Sequence, residues 1–289
     1  KEEPEAAPAP AARSPLDPAS PGRITFAPRL MVGLGTLTYL GIPQYYDNRH
    51  AAVTVTLDDW DNANGPYFVT AGQYLSAAHV HYTAAIETGI SPSWSMIQQQ
   101  INTGYLEVAS HSRTHACTQA DYQSTGYTYQ IQGSRDDILT NLNLPHPYVP
   151  VYIEPCGYED AQVRQGIVNA SYLTTRGWQA PPSQNTFSSW GSDGSYQRAM
   201  YSYDTWAWGW YNGTAAQFAE ANSSFDAVYN NGGIYHLVDH PWTQLWDNGS
   251  YLVQHINHIS NRLDVWYAAY GELYLYHYVQ ERGMVNVAP

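Results

Sequence analysis

Short β-branched or apolar runs alternate with helical stretches along most of this chain, and the runs break off into polar residues. The first run, "AAVTVTL" (51–57), reads as a buried strand ending in Asp58 and Asp59. "GPYFVTAGQYLSAAHVHYTAAIETG" fits a helix, a turn and a second strand. "SPSWSMIQQQINTG" has Pro92 near a helix start, Trp94, Ile97 and Ile101 at helical spacing, and Gly104 as a stop. "YLEVASHS" is the next strand, and "YVPVYIEPCG" follows with the helix "EDAQVRQGIVNASY" behind it. "GGIYHLVDHPW" runs from a strand into a loop before the helix "SYLVQHINHISNRL". "DVWYAAYG" and "ELYLYHYVQERG" close the chain as a short strand and a helix. Strands alternating with helices predict a parallel sheet or a (β/α) barrel. Such folds gather chemistry at the carboxyl ends of their strands, where every polar cluster here falls.

A chain of 289 residues can bury a barrel-sized core without disulfide staples. Residues 1–22, "KEEPEAAPAPAARSPLDPASPG", are Pro- and Ala-rich and predict a disordered or extended arm, leaving 23–289 as one domain. Such an arm could also dock on a neighbouring copy to make a homo-oligomer. The net charge of −13, with Lys1 the sole lysine, argues against nucleic acid, whose phosphates need cationic surface. No apolar run is long enough to span a membrane. The 26 Tyr and 10 Trp suit stacking on sugar faces as well as core filling. Cys117 and Cys156 lack the C-x-x-C spacing of a structural zinc site. Sequons begin at Asn169, Asn212, Asn222 and Asn248, and with so little lysine they point to a secreted or cell-surface glycoprotein.

Four clusters carry candidate chemistry. Asp58 and Asp59 repel one another, so a cation or donor nearby is needed to keep both ionised; one could instead cap the following helix. "HSRTH" sets His111 and His115 four apart past a strand end, where a helical turn would place both imidazoles on one face. The bare pattern also fits two ordinary loop histidines. "YIEPCG" (152–157) is a third strand end. In "GGIYHLVDHP" (232–241), alternation puts His236 and His240 on one strand face, with His240 nearer the loop. Asp with two His offers an oxygen and two nitrogens, leaving a position for water as catalytic zinc sites require.

These segments resemble the polysaccharide deacetylases, carbohydrate esterase family four. That family orders T-F-D-D-G, H-[ST]-x-x-H, R-x-P-x-G, a tryptophan-bearing segment and a late L-x-H. Here "TLDDW" (56–60), "HSRTH" (111–115), "EPCG" (154–157) and "HLVDHP" stand in that order. The resemblance implies a distorted (β/α) barrel of about seven parallel strands. It makes Asp58 the general base and Asp59, His111 and His115 ligands of one divalent ion, usually zinc. The ion would hold Asp59 ionised and activate the water that Asp58 deprotonates. A late histidine, His240 or else His236, would protonate the leaving amine. Trp60, Glu154, Pro155, Gly157 and Trp242 would line the substrate. Cys117 and Cys156 flank the second and third motifs, loops that are neighbours in the family, so a disulfide between them is implied.

Two departures stand out. The third motif's arginine, which orients the catalytic aspartate, would fall at Ile153 or Glu154, and Trp60 replaces the usual glycine. The expected activity is removal of N-acetyl groups from an amino-sugar polysaccharide. The alternatives are an O-acetyl xylan esterase, a small cyclic-amide hydrolase, and a silent member serving as a glycan-binding or self-assembling matrix protein.

Overall fold

The computed structural model describes residues 41–177, 191–192, 197–198, 203–204 and 212–283. The arm expected over 1–22 lies outside them. The described residues from Ile42 onward belong to one compact unit.

The strands are β1 (Ala51–Trp60), β2 (Tyr82–Ile86), β3 (Leu106–Ser110), β4 (Val151–Ile153) and β5 (Thr174–Arg176), followed by the two-residue β6 (Gly191–Ser192), β7 (Gln197–Arg198) and β8 (Tyr203–Asp204), then β9 (Ile234–Asp239) and β10 (Val265–Tyr267). The helices are α1 (Gly65–Ala77), α2 (Trp94–Ile101), α3 (Gln119–Thr125), α4 (Tyr127–Asn141), α5 (Ala161–Asn169), α6 (Ala215–Asn230), α7 (Tyr251–Ile259) and α8 (Tyr270–Arg282). β6 and β7 pair apart from the rest. The others form an eight-stranded parallel sheet ordered β5-β4-β3-β2-β1-β9-β8, curled into a distorted half-barrel. β10 adds to the beginning of β1 at Ala51–Val53, below the stretch from Val55 onward that pairs with β2.

Alternation along the strands separates two cores. Val53, Val55, Leu57, Ala84, Val108 and Leu237 face outward and pack with the apolar stripes of the helices. Ala52, Ala85, Ala109, Val151, Ile153 and Ile234 face inward, with Trp266, Tyr270, Leu273 and Tyr45 beside them. The small inward residues suit the narrow interior. On α1, Gly72 lies so close to β2 that a Cβ would meet the Tyr82 hydroxyl at 2.4 Å. Helix starts are set by side chains: Thr118 and Asp121 make a capping box on α3, Asp160 caps α5, Thr214 and Gln217 box α6, and Ser250 caps α7. The sequence pattern anticipated most elements but missed α3, α4, α6, β5 and the two-residue β6, β7 and β8. Among the described residues no helix is long and apolar enough to cross a membrane.

Candidate metal and acid–base site

β1 explains how two adjacent aspartates reach one site. Thr54, Thr56 and Asp58 continue its inward phase, so in a regular strand Asp59 would point outward. The β1–β2 register slips between Leu57 and Trp60, and Asp59 takes the left-handed conformation, with φ 70°. A bulge of this kind inserts one residue and re-aims a side chain. Asp59 thereby turns to the histidines, and Trp60 recovers the outward phase. Trp60 is fully buried and stacked on Phe68 at 4.6 Å between ring centroids. Trp60, expected from the resemblance to line the substrate, thus has its ring in the outer core, where burial stabilises it.

His111 follows β3 on the inward phase of Ala109. Its Nδ1 lies 2.8 Å from the Ile153 carbonyl oxygen, which can only accept, so Nδ1 carries the proton. Nε2 then faces Asp59 Oδ1 at 3.2 Å. The next residues are not the helical turn expected from the spacing. They form a tight loop with Ser112 and His115 both at positive φ. Ser112 Oγ accepts from the Ala116 amide at 3.1 Å, and Gln130 Oε1 accepts from the amides of Arg113 and Thr114. Arg113 grips Asp137 of α4 with two hydrogen bonds, of 2.6 and 2.7 Å. So held, the loop brings His115 Nε2 to 3.2 Å from the same Asp59 Oδ1.

These three residues fit a divalent cation. Their donor atoms lie within 4.8 Å of one another. A neutral His111 would set a lone pair against a carboxylate oxygen at 3.2 Å, an arrangement that needs a proton or a cation between the two atoms. Burial would raise the Asp59 pKa, but the hydrogen bonds to His111 and His115 and the field of His111 and His240 hold it far below the usual carboxylate range. For His111 burial works toward the neutral form, and Asp59, Asp58 and Glu87 outweigh it and raise its pKa. Glu87, missed in the sequence, is a further buried carboxylate of this neighbourhood, and burial raises its pKa despite the two histidines. Beside the cluster, Asp58 Oδ1 is buried with no hydrogen-bond partner among the described residues.

The other oxygen of Asp58 is held by an arginine that sequence reasoning missed. Arg176, fully buried at the end of β5, donates through Nη2 to Asp58 Oδ2. In the β4–β5 register Arg176 pairs with Ile153, one of the two positions at which the family's arginine would fall. The charge is therefore present, carried by the adjacent strand.

β9 separates its two histidines. His236 lies opposite Thr54 in the register, is buried, and shares a 3.0 Å hydrogen bond with Thr56 Oγ1. His240 emerges past the strand end with Nε2 3.8 Å from Asp59 Oδ2. Trp242 Nε1 donates to that same oxygen at 3.3 Å. Of the other residues expected to line the substrate, Glu154 and Pro155 are buried, Glu154 accepting from Thr175 Oγ1 at 3.1 Å. Gly157 is half-buried at φ 66°. The Cys117–Cys156 disulfide is present and joins the second and third motif loops. Among the sequons, Asn169 and Asn248 are exposed. Asn212 and Asn222 are half-buried, their oxygens bonded to the Tyr251 amide and to His255.

The fold is that of the polysaccharide deacetylases. No family model matches the chain, and no curated protein matches it. Among solved structures, it is similar to a Mycobacterium smegmatis protein assigned as a polysaccharide deacetylase, with TM-score 0.66 and 16% identity over 88% of this chain and 99% of that one. It is also similar to a Pseudomonas aeruginosa PAO1 protein assigned to the same group, with TM-score 0.63 and 12% identity over 89% and 100%. Puue allantoinase gives TM-score 0.62 and 11% identity over 90% and 100%.

Proposed function

We propose that this protein is an extracellular, metal-dependent hydrolase that removes N-acetyl groups from an amino-sugar polysaccharide. The observation that carries this reading is the convergence of Asp59, His111 and His115 beside the buried Asp58–Arg176 pair. Asp59, His111 and His115 would hold the ion, for which zinc fits two nitrogens and one oxygen best. When bound, such an ion lowers the pKa of a water and polarises an acyl oxygen. Asp58, its one oxygen fixed by Arg176, accepts the proton from the attacking water with the other. His240, at the mouth of the site, delivers a proton to the departing nitrogen. His236 is the weaker choice, because it lies deeper and already bonds Thr56.

The net charge of −13 suits a neutral or cationic glycan, and deacetylation makes the product more cationic. The disulfide and the exposed sequons at Asn169 and Asn248 support an exported glycoprotein. A second reading, hydrolysis of a small cyclic amide, is favoured by the likeness to an allantoinase. Elemental analysis of protein purified without chelator, paired with acetate release from chitin oligomers, peptidoglycan and acetylxylan, tests both readings. Bound zinc with acetate release from the amino sugars, lost in Asp58→Asn, is the expected result. Ring opening of a cyclic amide without acetate release would select the second reading, and inactive, metal-free protein would end both.

A further inference from the structure

The Asp59 carboxylate is divided between two tasks. Oδ1 faces the imidazoles of His111 and His115, both at 3.2 Å, while Oδ2 accepts the indole N–H of Trp242 at 3.3 Å. His240 Nε2 stands 3.8 Å from Oδ2. A carboxylate offering one oxygen to a cation turns freely unless its other oxygen is held, and ligand-holding hydrogen bonds of this sort orient the ligand and tune its basicity. An indole suits that task. It only donates, so it cannot compete for the ion or take a proton from the water. It carries no charge, so unlike lysine or arginine it would not repel a cation a few ångströms away.

We infer that Trp242 is a positioning residue for Asp59, fixing which oxygen is presented to the two histidines, and is not a platform beneath the substrate sugar. This inference rests on the reading of Asp59, His111 and His115 as metal ligands. It is specific to this chain's geometry: Trp242 lies just past His240, close enough in sequence for one loop to place the acid and the anchor on the same side of Asp59.

The test compares the apo forms of the wild type, Trp242→Phe and Trp242→Tyr, the last two keeping an aromatic ring without the indole N–H. Each is titrated with zinc against a chromophoric chelator and with cobalt(II) followed by visible absorption, and apo melting temperatures check folding. The expected result is roughly tenfold or greater loss of zinc affinity in both variants, the usual effect of removing such a partner. The cobalt spectrum should change, apo melting should stay unchanged, and KM for chitin oligomers should be little altered. Equal zinc affinity in wild type and variants would overturn the inference and leave the metal site standing. Unchanged affinity with a raised KM would return Trp242 to the substrate. A wild type that binds no ion would overturn the metal reading itself. Should one variant melt early, the other supplies the comparison.

Discussion

Arg176 reaches from the end of β5 to the buried carboxylate of Asp58, and the two form an ion pair almost wholly removed from water. Removing one partner of such a pair strands the other's charge, which costs about 3–5 kcal/mol, far more than an exposed pair would. Arg176→Met should therefore destabilise the protein by about that amount in urea denaturation. The double variant Asp58→Asn with Arg176→Met should recover part of the loss while remaining inactive. Stability losses that simply add in the double variant would show that the two side chains do not act as a pair.

Trp60 tests the bulge. Because its ring lies in the outer core against Phe68, Trp60→Ala should cost about 3–5 kcal/mol by loss of burial and creation of a cavity. Trp60→Phe should be much milder and should leave glycan affinity unchanged. A large rise in KM for chitin oligomers in the Phe variant, at unchanged stability, would put the ring back at the substrate.

Sequence and structure part company at identifiable places. β1, β2 and β3 were legible because a short run of β-branched and apolar residues marks a strand buried on both faces. His111 and His115 meet at Asp59 through a tight loop and not through the helical turn their spacing suggested. Arg176 left no such signal. "TTR" is a three-residue strand with little apolar content, and its partnership with Asp58 exists only through the register that sets it opposite Ile153. The bulge that turns Asp59 inward and Trp60 outward is likewise a slip between strands, invisible in either strand alone. α4, "YTYQIQGSRDDILTN", went unseen because its buried stripe of Gln130, Ile131, Ser134 and Ile138 is half polar. Gln130 is there to hold the histidine loop.

The disulfide closes a separation of 39 residues and ends two positions from His115, whose Nδ1 lies 3.5 Å from Cys117 Sγ. Chain-entropy reasoning gives about 4 kcal/mol as the upper range for a loop of that size. Replacing both cysteines with serine should lower stability by about 2–4 kcal/mol. It should also weaken zinc binding, because the loop carrying His115 loses its tie to the loop after β4. Denaturation and zinc titration of the double variant check both parts. Unchanged zinc affinity at reduced stability would confine the bond to a structural role.

Two groups away from the site, the half-buried Glu107 and the buried His255, should give the stability curve opposing slopes. Glu107 lies under the start of α8, accepting from Thr83 Oγ1 and the Gly271 amide at 2.8 Å each. Burial outweighs those donors and, with the charge of Glu272, pushes its pKa up to about 7 from an ordinary 4.5. The folded state then binds more protons than the unfolded state between those values, so this group's contribution falls as pH rises from about 4.5 to about 7. His255 is buried between Tyr235 and Asn222, and burial lowers its pKa to about 3 from 6.5. Here the unfolded state binds the extra proton, so stability is lost as pH falls through 6.5 toward 3. Between pH 4.5 and 6.5 the two slopes oppose. Glu107→Gln should remove one, so that its stability relative to wild type climbs across that window by on the order of 2–3 kcal/mol. Urea denaturation at half-unit pH steps reads the difference directly. A variant curve parallel to wild type throughout would mean that the Glu107 carboxylate titrates alike in the folded and unfolded chain.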